Sequence, residues 1–153
     1  MTYFKACPNC QNQIEVYRNP VPTVDIIIFS SPDRVVLIER TNYPYGWALP
    51  GGFVDYGETA ENAAIREAKE ETGLDVVLTG LLGVYSHPAR DPRSHTLSVV
   101  YTAYSLDIEK MRAGDDAGKA MLCNWHNLPE LAFDHYEIIM DFKFQRKRLE
   151  KMS

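Results

Sequence analysis

Residues 51–75 read GGFVDYGETAENAAIREAKEETGLD, and the fold turns on what this stretch is. It carries seven acids (Asp55, Glu58, Glu61, Glu67, Glu70, Glu71, Asp75) against two bases (Arg66, Lys69). The chain has 16 basic and 21 acidic residues and a net charge of -5, so this segment holds the whole imbalance. Thr59–Thr72 reads as a helix, with Gly73 at the C′ position that favours glycine. At about 100° per residue, Glu67, Glu70 and Glu71 share one face. Ala60, Ala63 and Ala64 lie on that face and leave room above it, while Ile65, Ala68 and Thr72 suit packing on a sheet. Like charges at these spacings cost about 0.2–0.5 kcal/mol per pair. Glu70 and Glu71 also sit at the helix end where the dipole disfavours anions. The face is either merely solvated or a site for a hard divalent cation, which would remove the repulsion.

Outward from the helix, Asp25–Phe29 and Val35–Arg40 read as strands joined by a Ser-Ser-Pro-Asp turn. Thr41–Gly52, rich in Pro, Gly and aromatics, reads as a structured loop. Val76–Tyr85 and Thr96–Leu106 are strand-like, Ala120–Trp125 is a shorter candidate, and Asp134 to about Lys151 reads as helix. Ile138, Ile139, Phe142 and Leu149 are its expected buried positions. Strands on both sides of a central helix, plus a terminal helix, predict a mixed sheet flanked by helices.

Composition excludes several classes. The chain is 153 residues long with 45% hydrophobic and 24% charged residues, a single-domain length with neither disorder nor low complexity. It has no apolar run of the roughly 18 residues needed to span a membrane, and Met1–Cys10 lacks a signal-peptide core. Three cysteines are too few for a disulfide framework, which points to a reducing cytoplasm. A pI near 5.3 argues against nucleic-acid binding. The basic cluster Lys143, Arg146, Lys147, Arg148 and Lys151 suits a helix C-terminus.

From Gly52 there are five residues to Glu58, seven more to Arg66-Glu67, then Ala68, Lys69, Glu70-Glu71, Thr72, Gly73 and Leu74. This resembles the Nudix box at every fixed position, and the approach Gly46-Trp47-Ala48-Leu49-Pro50-Gly51-Gly52 resembles the family's as well. The resemblance spans essentially the whole chain and implies an α/β/α sandwich, with residues 21–153 as the Nudix hydrolase domain. It implies hydrolysis of a nucleoside diphosphate linked to another moiety, with Mg²⁺, or Mn²⁺ in its place, as cofactor. Carried over by position, Glu67, Glu70 and Glu71 hold the metal with the Gly52 carbonyl, and Glu58 and Arg66 form an orienting pair. Relatives commonly place a glutamate where Lys119 stands here. The general base is therefore left among Glu70 and Glu71 in the box and Asp115 and Asp116 in the loop, with the box preferred. The resemblance also implies a homodimer.

Three stretches bear on the substrate: Asn19–Asp25, Pro88–Thr96 and Leu131–His135. Together they resemble the ADP-ribose-hydrolysing branch and the related ADP-ribose-sensing regulators, which implies ADP-ribose as nucleotide-sugar substrate and AMP and ribose 5-phosphate as products. Arg93 and His95 are then candidates for contact beside the phosphates or terminal ribose. Arg40 is a candidate phosphate contact or a surface ion pair. Tyr45, Trp47 and Phe53 are adenine neighbours or core. Asp91-Pro92-Arg93 also fits a plain turn, and Asp134 a plain N-cap. Other Nudix specificities (NADH, dinucleoside polyphosphates, oxidised nucleotides) form the alternative. A non-catalytic sensor is disfavoured by the intact box and by the 18 residues after His135.

Residues 1–20 form a separate N-terminal segment. Its Cys7-Pro8-Asn9-Cys10 has knuckle spacing, and Tyr17-Arg18-Asn19-Pro20 resembles the junction after the zinc ribbon of Nudix NADH pyrophosphatases. Four ligands complete a tetrahedral zinc site. Cys7 and Cys10 are half of one, so a metal-free knuckle, Zn²⁺ completed by another residue or chain, and redox chemistry all remain open.

Overall fold

The computed structural model describes residues 2–30, 33–114 and 117–151. Strands β1 (Thr2–Ala6) and β2 (Gln13–Tyr17) form an antiparallel hairpin of their own. Then come β3 (Val21–Ser30), β4 (Arg34–Arg40), the short β5 (Gly46–Ala48) and β6 (Gly51–Phe53), and helix α1 (Ala60–Thr72). β7 (Val77–Tyr85), β8 (Thr96–Tyr104), a 3-10 turn at Ile108–Lys110, β9 (Ala117–Asn124) and helix α2 (His135–Glu150) complete the order. β3 to β9 make one mixed sheet. β3 runs parallel to β8 and antiparallel to β6, while β4 pairs antiparallel with β5 and β9.

The unbroken apolar run of β3 follows from burial on both faces, because side chains alternate along a strand. Val24, Ile26 and Ile28 point into a core shared with Ala63, Ala64 and Ala68 of α1. Ile27 belongs to a second core with Val35, Leu37 and Ile138, Ile139 and Phe142 of α2. The result is the expected α/β/α sandwich, one helix on each face.

Several local expectations need correcting. Ile65 is 42% exposed, whereas Ala63, Ala64, Ala68 and Thr72 face the sheet. Small side chains let α1 lie close to the sheet, and Ile65 falls outside that strip. Leu149 is 65% exposed because α2 runs past its core after Phe142. The Thr41–Gly52 loop contains β5 and the start of β6. The N-terminal segment is a hairpin, which its sequence did not signal.

The ends of α1 are well satisfied. Asn62 N–H donates to the Thr59 hydroxyl (3.2 Å), and Gly73, at φ 70°, donates to Lys69. Arg112 and Gly114 N–H groups donate to the Thr72 (2.9 Å) and Glu71 (3.0 Å) carbonyls. The loop before β9 thereby covers the negative end of the helix, where Glu70 and Glu71 sit. Among the described residues no helix is long and apolar enough to cross a membrane.

Ala64 is fully buried between α1 and the sheet. Ala64→Leu overpacks that contact and is expected to cost about 1–3 kcal/mol, read by urea unfolding. Unchanged stability would mean the helix is held more loosely than its alanine face indicates.

Candidate active site

Gly51 and Gly52 bring α1 to the edge of β3. A Cβ on Gly51 would lie 2.2 Å from the Val24 carbonyl oxygen, and one on Gly52 would lie 2.3 Å from Glu67 Oε1. Against the Val24 backbone only glycine fits at 51, whereas a side chain at 52 would displace the Glu67 carboxylate. Gly51 N–H donates to Glu71 Oε2 at 2.8 Å, tying the loop to the helix.

Arg66 organises the remaining carboxylates. Its Nε and Nη2 grip Glu58 Oε1 and Oε2 at 3.0 and 2.9 Å, and Nη2 also donates to the Phe53 carbonyl at 3.0 Å. Its Nη1 donates to Glu67 Oε1 at 2.7 Å and Glu70 Oε2 at 3.1 Å. The Glu58 bonds, then those to Glu67, push the guanidinium further up, and Arg66 holds Glu58 below the usual carboxylate range. Glu67 is raised chiefly by burial, against the pull of Arg66. Glu71 is pushed to about 8, first by burial and then by the Glu67 charge, although the Gly51 N–H opposes this. Glu67 and Glu71 line a cleft of about 340 Å³ with Gly52, Phe53 and Asp55, whereas the Glu70 side chain is 57% exposed and stays on Arg66.

The opposite wall is basic and aromatic. Phe133, at φ 59°, turns its ring between Arg40 and Arg93, whose guanidinium carbons lie 4.8 and 5.5 Å from the ring centre. Arg93 is locked by both oxygens of Asp91 (3.0 and 2.8 Å). Arg40 donates to the Pro44 carbonyl at 2.7 Å, and burial, followed by the Arg93 charge, lowers its pKa. Acidic side chains thus face closely held cations across one cleft.

Beneath this wall lies a buried network that sequence reasoning missed. Asp25 Oδ2 accepts from Arg90 Nη2 at 3.1 Å and from the Ser98 hydroxyl. Arg90 also grips Asp134 Oδ2 and Oδ1 at 2.9 and 2.7 Å and donates to Thr96 at 3.1 Å. Leu49 N–H donates to His135 Nδ1 at 2.9 Å, leaving the proton on Nε2, which faces Asp25 Oδ1 at 3.3 Å. Burial alone would raise the Asp25 carboxyl; His135, Arg90 and Ser98 outweigh it and hold it at about 2. The only signal for this cluster was the joint occurrence of the three stretches that contain Asp25, Arg90, Thr96, Asp134 and His135. Asp134 starts α2 as expected, but its side chain makes no capping bond and serves Arg90 instead.

Other candidates fall elsewhere. Trp47 packs on the α2-side core and is bridged to Leu131, away from the cleft. His95 bonds the Ser86 carbonyl at 3.0 Å and does not line the cleft. Tyr45 is exposed against Tyr43. Lys119 pairs with Glu39 at 3.2 Å across β9 and β4. Asp115 and Asp116 lie outside the described residues. Cys7 and Cys10 occupy the tip of the β1–β2 hairpin, and Cys123 is buried in β9, far along the chain. Among the described residues, no three His, Cys, Asp or Glu side chains gather closely enough to hold an ion.

The sandwich and the box-bearing helix define a class, and comparison with known proteins specifies it. Residues 19–142 match the NUDIX domain, and the chain belongs to that family. It is an enzyme of the Nudix pyrophosphohydrolase class. An ADP-ribose pyrophosphatase of Methanocaldococcus jannaschii is 49% identical over 131 aligned positions, covering 83% of this chain and 75% of that protein. The ADPR responsive transcriptional repressor NtrR of Acinetobacter baylyi is 33% identical, covering 84% of this chain and 55% of the repressor, so the chain spans about half of it. Among solved structures, the NUDIX domain of Shewanella oneidensis NrtR complexed with ADP ribose aligns at TM-score 0.73 and 26% identity, over 87% of this chain and 90% of that one. A bifunctional NMN adenylyltransferase/ADP ribose pyrophosphatase from Francisella tularensis, complexed with AMP and Mn ion, aligns at 0.75 and 27% identity, over 84% and 42%.

The depressed pKa of Asp25 carries a stability consequence. A carboxyl held at about 2 in the fold, against an ordinary value near 3.8, stabilises above that ordinary value and loses the contribution as pH falls toward 2. Asp25→Asn is expected to cost on the order of 3 kcal/mol at pH 7. The gap to wild type should narrow between about pH 4 and pH 2 in urea unfolding. A gap constant through that window would mean Asp25 is not the charged partner of Arg90.

Proposed function

We propose that the protein hydrolyses ADP-ribose to AMP and ribose 5-phosphate with Mg²⁺ or Mn²⁺. The observation that carries this is the charge arrangement of the cleft: carboxylates on the α1 side, two guanidiniums flanking Phe133 on the other. A metal–diphosphate complex is the ligand whose own charges match both walls. Two of the relatives described above act on or respond to ADP-ribose by name, which supports the choice of nucleotide.

The donor set fits a hard cation. Glu67 and Glu71 offer only oxygen, and Glu67 lies in the cradle that a Cβ at Gly52 would fill. Mg²⁺ typically needs only one or two carboxylates and takes the rest from water and phosphate. Glu67, Glu71 and the Gly52 carbonyl would hold it, with Glu70 supplied from Arg66. When bound, it withdraws charge from the diphosphate and acidifies a water for attack on phosphorus. Arg66 keeps Glu58, Glu67 and Glu70 in fixed orientation, which limits reorganisation during the reaction. Glu70 or Glu71 accepts the proton of the attacking water. Arg40 and Arg93 neutralise the phosphate oxygens, and the Phe133 ring holds both guanidiniums at the cleft.

With Mg²⁺, AMP should be released from ADP-ribose faster than NADH or 8-oxo-dGTP is cleaved, with products identified by chromatography; a reversed ranking would sink the substrate assignment. Glu70→Gln and Glu71→Gln should each remove most turnover while circular dichroism stays native. Near-normal turnover in both would mean the metal assignment is wrong. Phe133→Leu should raise KM for ADP-ribose several-fold with kcat less affected, and an unchanged KM would remove Phe133 from the substrate wall.

A further inference from the structure

The hydrolase site makes no use of the N-terminal hairpin. β1 and β2 pair with each other and join no other strand. Every residue of β1 and all but one of β2 are exposed, including Phe4 at 65% and Tyr17 at 67%. An isolated two-stranded hairpin is marginal in water, so this one needs a further constraint to be of use.

Its tip is built in a specific way. Cys7 N–H donates to the Asn12 carbonyl at 2.8 Å, and Gln11 N–H donates to the Cys7 carbonyl at 2.9 Å, with Gln11 at φ 62°. These bonds close the chain from Cys7 to Asn12 into one tight turn that carries Cys10 exposed at the hairpin tip. Two thiols at Cys-x₂-Cys spacing within one turn can serve a single soft cation as a two-toothed ligand.

We propose that Cys7 and Cys10 form half of a four-thiolate zinc site, completed by Cys7 and Cys10 of a second copy of this chain. Structural zinc sites are closed with four ligands, and Cys-x₂-Cys supplies two. The other described candidates are engaged elsewhere. The Cys123 thiol points to the Asn124 and Asn127 carbonyls, His87 takes the Ala89 N–H, His95 bonds Ser86, His126 sits against Asp33 and Lys143, and His135 bonds Leu49 and faces Asp25. A two-fold axis through the ion makes the same two residues on each copy sufficient, and the assembly closes. Each thiol releases its proton to solvent on binding. The tetrathiolate carries two negative charges, and Lys5, two residues before Cys7, brings one positive charge from each chain. The competing use of the pair is an intrachain disulfide, which excludes zinc.

The test uses the full chain and the Cys7→Ser/Cys10→Ser double variant, both reduced, loaded with Zn²⁺ and desalted. Subtracting the variant removes zinc held by the acidic cleft. The expected difference is one zinc per two chains. Co²⁺ in place of Zn²⁺ should give the intense visible bands of tetrahedral thiolate coordination in wild type and not in the variant. A difference of zero, or of one zinc per chain, overturns the proposal, as does Co²⁺ binding without those bands. Hydrolysis by the double variant should stay near the wild-type rate. That readout depends on the proposed activity, whereas the metal count does not, so the two readings fail separately.

Discussion

A charged carboxylate in the middle of the central strand is the constraint on which the site depends. Asp25 is almost fully buried, and an unpaired ion there would cost several kcal/mol. It is tolerated because Arg90 reaches it from the loop after β7, Ser98 from β8 and His135 from the start of α2. His135 in turn holds Leu49, two residues before the glycine pair, and Arg90 holds Asp134. Satisfying one anion thus fixes the relative positions of the sheet edge, the glycine turn, the Phe133 segment and the second helix. These are the pieces that form the cleft.

Above that network the protein keeps opposite charges apart instead of pairing them all. Arg66 neutralises Glu58 and shares itself with Glu67 and Glu70, whereas among the described residues Glu71 takes the Gly51 N–H and no cation at hydrogen-bond distance. On the far wall Arg40 and Arg93 sit close to one ring. In a low-dielectric cleft this separation costs stability. It is the kind of local inconsistency expected where a ligand supplies the missing charges. The net charge of -5, confined to one 25-residue segment, has its structural meaning here.

The helix was legible because its signals are local. Thr59, Gly73 and the spacing of Glu67, Glu70 and Glu71 act within a few turns, and the same residues cap and line α1. Ile65 misled because apolarity was read without knowing how close the helix lies to the sheet. Contact through Gly52 and three alanines leaves no depth for a branched side chain. Trp47 misled in the opposite way: proximity to the box in sequence placed it near the substrate, but β5 turns it toward the α2 core. The hairpin carried no turn signal strong enough to reveal it.

By itself, the sequence determined the family, the two-layered helical cover of a mixed sheet and the acidic face of α1, because hydrophobic period, caps and box spacing are short-range properties. Only the tertiary structure decided which residues meet that face across the cleft. Asp25, Arg90, Phe133 and His135 stand up to 110 positions apart and come together through strand register and the seating of α2. A polar contact between distant segments leaves no periodicity in either one, and burial creates the need for it only after the sheet and helices have packed.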